Sequence, residues 1–178
     1  MFCRTLSTQG LLVGIAALVL PSTVVDAAEV SAVWPTNGHT YVVVDTPPYD
    51  WPTARVYAEV NYDGYLATIT SADENEFVFS LALTNPNVWP SGGPHLGGFV
   101  GNAGWEWVTG EPFSYTSWEP GEPNNGVGST LRYNGNPPSQ NWRDNNASLV
   151  LPGLVVEIDP SPVGVESPSW GRVKGLYQ

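Results

Sequence analysis

The sequence predicts an α+β domain. Three observations carry this: two capped helix signals lie before Leu83, helix signals stop at Asn85, and a β-rich run from Leu151 to Ile158 closes the folded part. Pro, Gly and Asn dominate from Asn85 to Asn146, broken by short strand-like runs near Phe99, Trp105 to Val108 and Trp142. Loops of that length in a compact domain are functional or disordered. The dense tryptophans argue for order.

Thr40 to Asp45 is a β-branched run and reads as a strand. Pro47, Pro48 and Pro52 are expected to break it. Asp50 is the N-cap of a helix through Glu59, with Trp51, Ala54, Val56, Tyr57 and Ala58 partly forming an apolar face. Asp63-Gly64 is a turn, and Leu66 to Thr70 a short strand. Ser71-Ala72-Asp73-Glu74 reads as a capping box, in which the hydroxyl caps a backbone donor and Glu74 reaches back. The helix it opens runs to Leu83 and buries Phe77, Val78 and Leu81. Trp51, Trp107 and Trp142 are expected in the core; Trp118 lies nearer the loop, in core or surface.

The first 27 residues read as a secretory signal. Arg4 is the only charge ahead of the apolar run Leu11 to Leu20, which is too short to span a membrane comfortably. Small residues around Ala27 offer the cleavage point. Residues 28–160 then form one domain, long enough for a proper core. Residues 161–178 read as a linker and a short amphipathic tail, with Trp170, Val173, Leu176 and Tyr177 near one helical face. The expected location is secreted or periplasmic, with no transmembrane segment in the mature chain.

Six Lys and Arg stand against seventeen Asp and Glu, a formal charge of −11. Nucleic acid is excluded as a partner on that balance, because phosphate contacts need basic groups. A negative field favours a divalent cation. Cys3 is the only cysteine and leaves with the signal.

The stretch WVTGEPFSYTSWEPGEPNN (Trp107 to Asn125), followed by NWRD (Asn141 to Asp144), resembles the C-type lectin domain. GHTYVVVDTPPYDWPTARVYAEV from Gly38, GYLATITSADENEFV from Gly64, LGGFVG from Leu96 and GLVVEID from Gly153 stand in the family's order. The resemblance covers Thr36 to Pro160. It implies the C-type lectin-like fold, with the first and closing strands paired. Extracellular members usually carry two disulfides; a mature chain without cysteine is similar to bacterial members.

The resemblance also implies a site. Glu122 and Asn124 flank Pro123 as the family's Glu-Pro-Asn, and Asp144 follows Trp142 as the acid of its Trp-Asn-Asp. In sugar-binding members these side chains ligate Ca2+ and hydrogen-bond two vicinal hydroxyls. The Glu-Pro-Asn version goes with mannose- and glucose-type sugars. Oxygen donors of this kind suit a hard cation. Two positions depart from the pattern. Arg143 stands where the family has a ligating Asn, and an arginine cannot ligate a cation. Ser129 is nearest to a further glutamate. Asn125, Asn145 and Asn146 are the candidates to replace the missing ligands. Arg143 either stays solvated or pairs with Glu122 in the cation's place.

The expected function is a secreted carbohydrate-binding module that takes a glycan or glycoprotein, with Ca2+ as the candidate cofactor. The alternative is a protein-interaction or structural module that has lost the sugar. No nucleophile elbow, His-based constellation or phosphate loop points to an enzyme. His39 and His95 have no partner at metal-ligand spacing.

Overall fold

The computed structural model describes residues 28–124, 126 and 128–161. The expected signal 1–27, the expected tail beyond 161, and Asn125 lie outside the described residues. The elements are β1 (Glu29–Val33), β2 (Thr40–Tyr49), α1 (Trp51–Tyr62), β3 (Tyr65–Leu66), α2 (Ala72–Leu83), a 3₁₀ turn (Pro86–Val88), β4 (His95–Gly101), β5 (Gly104–Trp107), β6 (Ser129–Gly135), β7 (Pro138–Asn146) and β8 (Leu151–Ile158). Their strands join in one sheet ordered β1-β2-β8-β4-β6-β7, with β3 on β8 and β5 on β4. Among the described residues no helix is long and apolar enough to cross a membrane.

The two central strands are covered on both faces. Successive side chains alternate across a strand. Val42 and Val44 of β2, with Leu154 and Val156 of β8, meet Trp51, Ala54 and Ala58 of α1. Tyr41, Val43 and Val155 face the other way, into a cluster with Val78, Ala82, Trp107, Tyr133 and Trp142. Burial on both faces explains why β2 and β8 read as nearly continuous apolar runs. The pairing of β2 with β8 brings the domain's ends together, as the resemblance implied.

Both helices start where their caps sit. The Asp50 side chain accepts from the Thr53 N–H, with Pro52 in the first turn where a missing donor costs nothing. The helix overruns the expected end at Glu59 and stops after Tyr62, with Asp63 in the left-handed region at φ 51°. Ser71 caps the Glu74 N–H at 3.2 Å. The reciprocal half of the box is corrected. The Glu74 carboxylate bonds Thr70, from its N–H at 2.6 Å and its hydroxyl at 2.9 Å, and also accepts from the Tyr41 hydroxyl. Its Oε atoms are drawn inward, and Glu74 is 2% exposed. Val78 is buried as expected, while Phe77 and Leu81 are only partly so.

Three strand expectations change. β2 does not end at Asp45; it resumes pairing at Tyr49 after a shift in register, which accommodates Pro47 and Pro48 without ladder bonds. β3 is two residues, not the five from Leu66 to Thr70. β6 was not expected at all. It pairs antiparallel with β7 across a hairpin that includes a cis Asn136-Pro137 bond.

Candidate ligand-binding site

The site lies where the 117–124 segment runs beside β7. Trp142 N–H donates to Ser117 O at 2.6 Å, and Glu119 N–H to Trp142 O at 2.9 Å. This parallel bridge fixes the start of the loop. A turn closed by Glu122 N–H on Glu119 O at 2.9 Å, with Gly121 at φ 88°, then brings Glu122 back toward β7. The Glu122-Pro123 bond is cis. Beyond it, Asn124 N–H donates to Asp144 Oδ1 at 2.9 Å. Glu122, Asn124 and Asp144 are therefore brought together by β7 and one loop.

Tryptophans set the loop's position. Trp107 (2% exposed) and Trp142 (0%) meet edge to face with centroids 5.8 Å apart. Phe113 and Trp118 of the loop pack on the same pair, and Trp118 lies 4.8 Å from Trp105. Trp118 is thus half-buried and belongs to the core's edge. Such aromatic pairs add about 0.5–1.5 kcal/mol each beyond area burial. They hold in place a segment with little regular structure.

Asn75, which no sequence pattern singled out, ties this assembly to α2. Its Oδ1 accepts from Trp142 Nε1 at 3.0 Å and from the Tyr133 hydroxyl at 3.0 Å. Its Nδ2 donates to Gln140 O at 3.0 Å. A buried amide inside an apolar helix face was the available signal.

The site's electrostatics turn on Arg143. Its Nε donates to Glu122 Oε1 at 2.9 Å, with side chains 44% and 4% exposed respectively. Glu122 Oε2 is enclosed and has no hydrogen-bond partner among the described residues. Burial first, then the Asp144 carboxyl, push the Glu122 pKa up, while Arg143 pulls it down. Two carboxyls can bond each other only through a shared proton, so the pair invites a proton or a positive charge. Arg143 supplies that charge. Glu119 behaves differently: hydrogen bonds led by that from Asn134 hold its carboxyl below the usual range.

A calcium ion does not fit these residues as arranged. One Glu122 oxygen is held by a guanidinium, and Asp144 Oδ1 is engaged by Asn124 N–H. Ser129 is 3% exposed within β6. Asn145 donates to Thr130 Oγ1 and Asn146 O, and Asn146 Oδ1 accepts from Ser148. Among the described residues no three His, Cys, Asp or Glu side chains converge as metal ligands.

The C-type carbohydrate-recognition domain of cow CD23, solved in the presence of a GlcNAc2Man3 oligosaccharide, superposes with a TM-score of 0.57 at 27% identity, over 69% of this chain and 89% of that one. Lithostathine from Bos taurus is 31% identical over 129 residues, 65% of this chain and 69% of the bovine protein. The chain belongs to the C-type lectin-like family. Its fold is also that of SPL-2 from Saxidomus purpuratus, a Ca2+-independent C-type lectin, with a TM-score of 0.58 at 22% identity over 69% of this chain and 88% of that one. No protein-family model matches the chain. For this lectin-like domain, the loop beside β7 is the region that carried the resemblance to sugar-binding members.

Proposed function

We propose that this lectin-like domain is exported and binds a glycan through Glu122, Asn124 and Asp144, without Ca2+. The 2.9 Å contact of Arg143 with Glu122 carries the reading, because it places a fixed cation against the buried carboxylate. Asn124 is exposed and offers both a donor and an acceptor, the pair of roles that one face of a vicinal diol requires. A mannose- or glucose-type diol is the proposed ligand, on the likeness to Glu-Pro-Asn members. The oligosaccharide named with CD23 and the calcium independence named for SPL-2 each support one half of this reading. Binding rather than catalysis is proposed, since the two carboxyls of the site are engaged by Arg143 and by backbone.

The second reading is a protein-interaction module, favoured by the same Arg143–Glu122 contact if it closes the site. A glycan array probed with the mature domain in chelator and in millimolar calcium separates them. Mannose- or glucose-type signals of equal strength in both buffers support the proposal. Signals only in calcium overturn its metal-free half, and no signal in either buffer overturns sugar binding in favour of a protein partner.

A further inference from the structure

Strand register places Arg132 of β6 directly opposite Arg143 of β7. Like charges facing each other across an antiparallel pair are destabilising. The described residues hold three Lys and Arg side chains in all, and Arg55 is paired with Glu59 on α1 at 3.0 Å. In a chain of formal charge −11, the other two thus meet at one spot. Both line a cleft of about 560 Å³ between the β6–β7 ribbon and the 89–93 turn. That volume falls in the range of small-molecule sites.

The Arg132 guanidinium is built in rather than adventitious. Its Nη1 donates to Gly92 O and, at 3.1 Å, to Tyr133 O. A Cβ at Gly92 would stand 3.1 Å from that same Nη1, so glycine makes room for the group. Yet Arg132 Nε is buried with no acceptor among the described residues. A buried donor left unmade costs about 1–3 kcal/mol. Burial and the neighbouring Arg143 both weaken the hold of Arg132 on its proton, so a bound anion would relieve two penalties at once.

We propose that this cleft binds the oxyanion of an acidic saccharide, a uronate carboxylate or a sulfate ester, between Arg132 and Arg143. The planar guanidinium fork matches such groups bidentately. Ser91, exposed on the cleft wall, offers a hydroxyl to the sugar that bears the anion. Glu122 and Asp144 stand close by, and the whole chain is negative, so a single anionic sugar is favoured over a polyanion. The inference rests on the carbohydrate reading and adds the ligand's charge class to it.

Arginine Nε–H signals of the mature domain, followed by 15N NMR at constant ionic strength, test this. The probes are glucuronic acid, glucose 6-sulfate, glucose and sodium sulfate. Support is a shift of the Arg132 and Arg143 signals with both acidic sugars, at an affinity about tenfold or more above that for sodium sulfate and for glucose. Arg132→Lys and Arg143→Lys, which keep the charge but not the fork, should each weaken acidic-sugar binding about tenfold or more. If Arg132→Lys fails to fold, Arg143→Lys alone decides. Inorganic sulfate binding as tightly as glucose 6-sulfate overturns the saccharide assignment. Acidic sugars binding no better than glucose, or unmoved arginine signals, overturn the anion site. Glucose binding that persists in that last case leaves the carbohydrate reading standing.

Discussion

Arg143→Asn is the most telling perturbation of the site. It removes the cation from a carboxylate that is 4% exposed and puts there the amide that the family resemblance implies. An exposed ion pair is worth about 0–1 kcal/mol, and breaking a buried one costs about 3–5 kcal/mol. With Arg143 44% exposed and Glu122 nearly enclosed, the loss should be about 1–2 kcal/mol. For a domain of this size that is roughly 3–6 °C in Tm. The deficit should be full at pH 7 and shrink as pH falls, because burial and Asp144 raise the Glu122 pKa and a proton then replaces the lost guanidinium. Calcium should repair the variant. At a Kd of about 1 mM, 10 mM Ca2+ returns roughly 1.4 kcal/mol. Differential scanning calorimetry in chelator and in 10 mM Ca2+ reads all three effects. Wild type should not respond to the metal. Calcium stabilisation of wild type as large as that of the variant would refute the claim that Arg143 holds the cation's place.

Other outcomes follow from buried groups. His95 is fully buried, its Nε2 is 3.0 Å from Tyr49 O, and its Nδ1 has no partner among the described residues. Burial lowers its pKa to about 4, so it contributes stability above pH 6.5 that is lost as pH falls toward 4, about 3 kcal/mol in all. Urea unfolding of His95→Asn against wild type should show the difference shrinking by that amount over that window. Trp107→Ala should cost about 3–5 kcal/mol by the same assay, and reductant should leave the Tm of the mature domain unchanged. Asn75→Ala strands Trp142 Nε1 and the Tyr133 hydroxyl, and should cost about 2–4 kcal/mol. It should also weaken glycan binding more than Trp51→Phe, which lies in the other core cluster.

Local chemistry made much of the frame legible. Caps at Asp50 and Ser71 and the apolar run of β8 each act over a few residues, so they show in the sequence. The elements that escaped depend on distant partners. β1 is EVSAV, half exposed, and becomes a strand by pairing with β2. β6 is STLRYNG, polar in alternate places and ended by glycine, and is held by β4 and β7 together. Glu122, Asn124 and Asp144 were named from the chain alone, and the pairing of Arg143 with Glu122 was one of its two expected fates. Arg132 was not. Its place opposite Arg143 is fixed by a register that shifts between Tyr133 and Asn134, and no local pattern encodes such a shift.

Half of the unmet buried polar atoms among the described residues lie on that ribbon or the loop against it. Six buried side-chain nitrogens and oxygens lack a partner among the described residues, and three of them, Glu122 Oε2, Arg132 Nε and Asn145 Oδ1, belong to β6, β7 or the loop against them. Folding selects against such atoms, because each costs about what a lost hydrogen bond would restore. Elsewhere the chain satisfies far harder cases. Glu157, 2% exposed, accepts from Thr68 N–H, the Tyr41 hydroxyl and His39. The Glu74 carboxylate is met from Thr70 and Tyr41. Beside two enclosed carboxylates met in this way, the Arg132 guanidinium lacks an acceptor and the Glu122 and Asn145 oxygens lack donors among the described residues. Under the anion-site proposal, Arg132 is the member of this set that a ligand in the cleft completes. Arg132 and Arg143 line the cleft while Glu122 and Asn145 do not, so the proposal asks an oxyanion to meet the guanidinium alone.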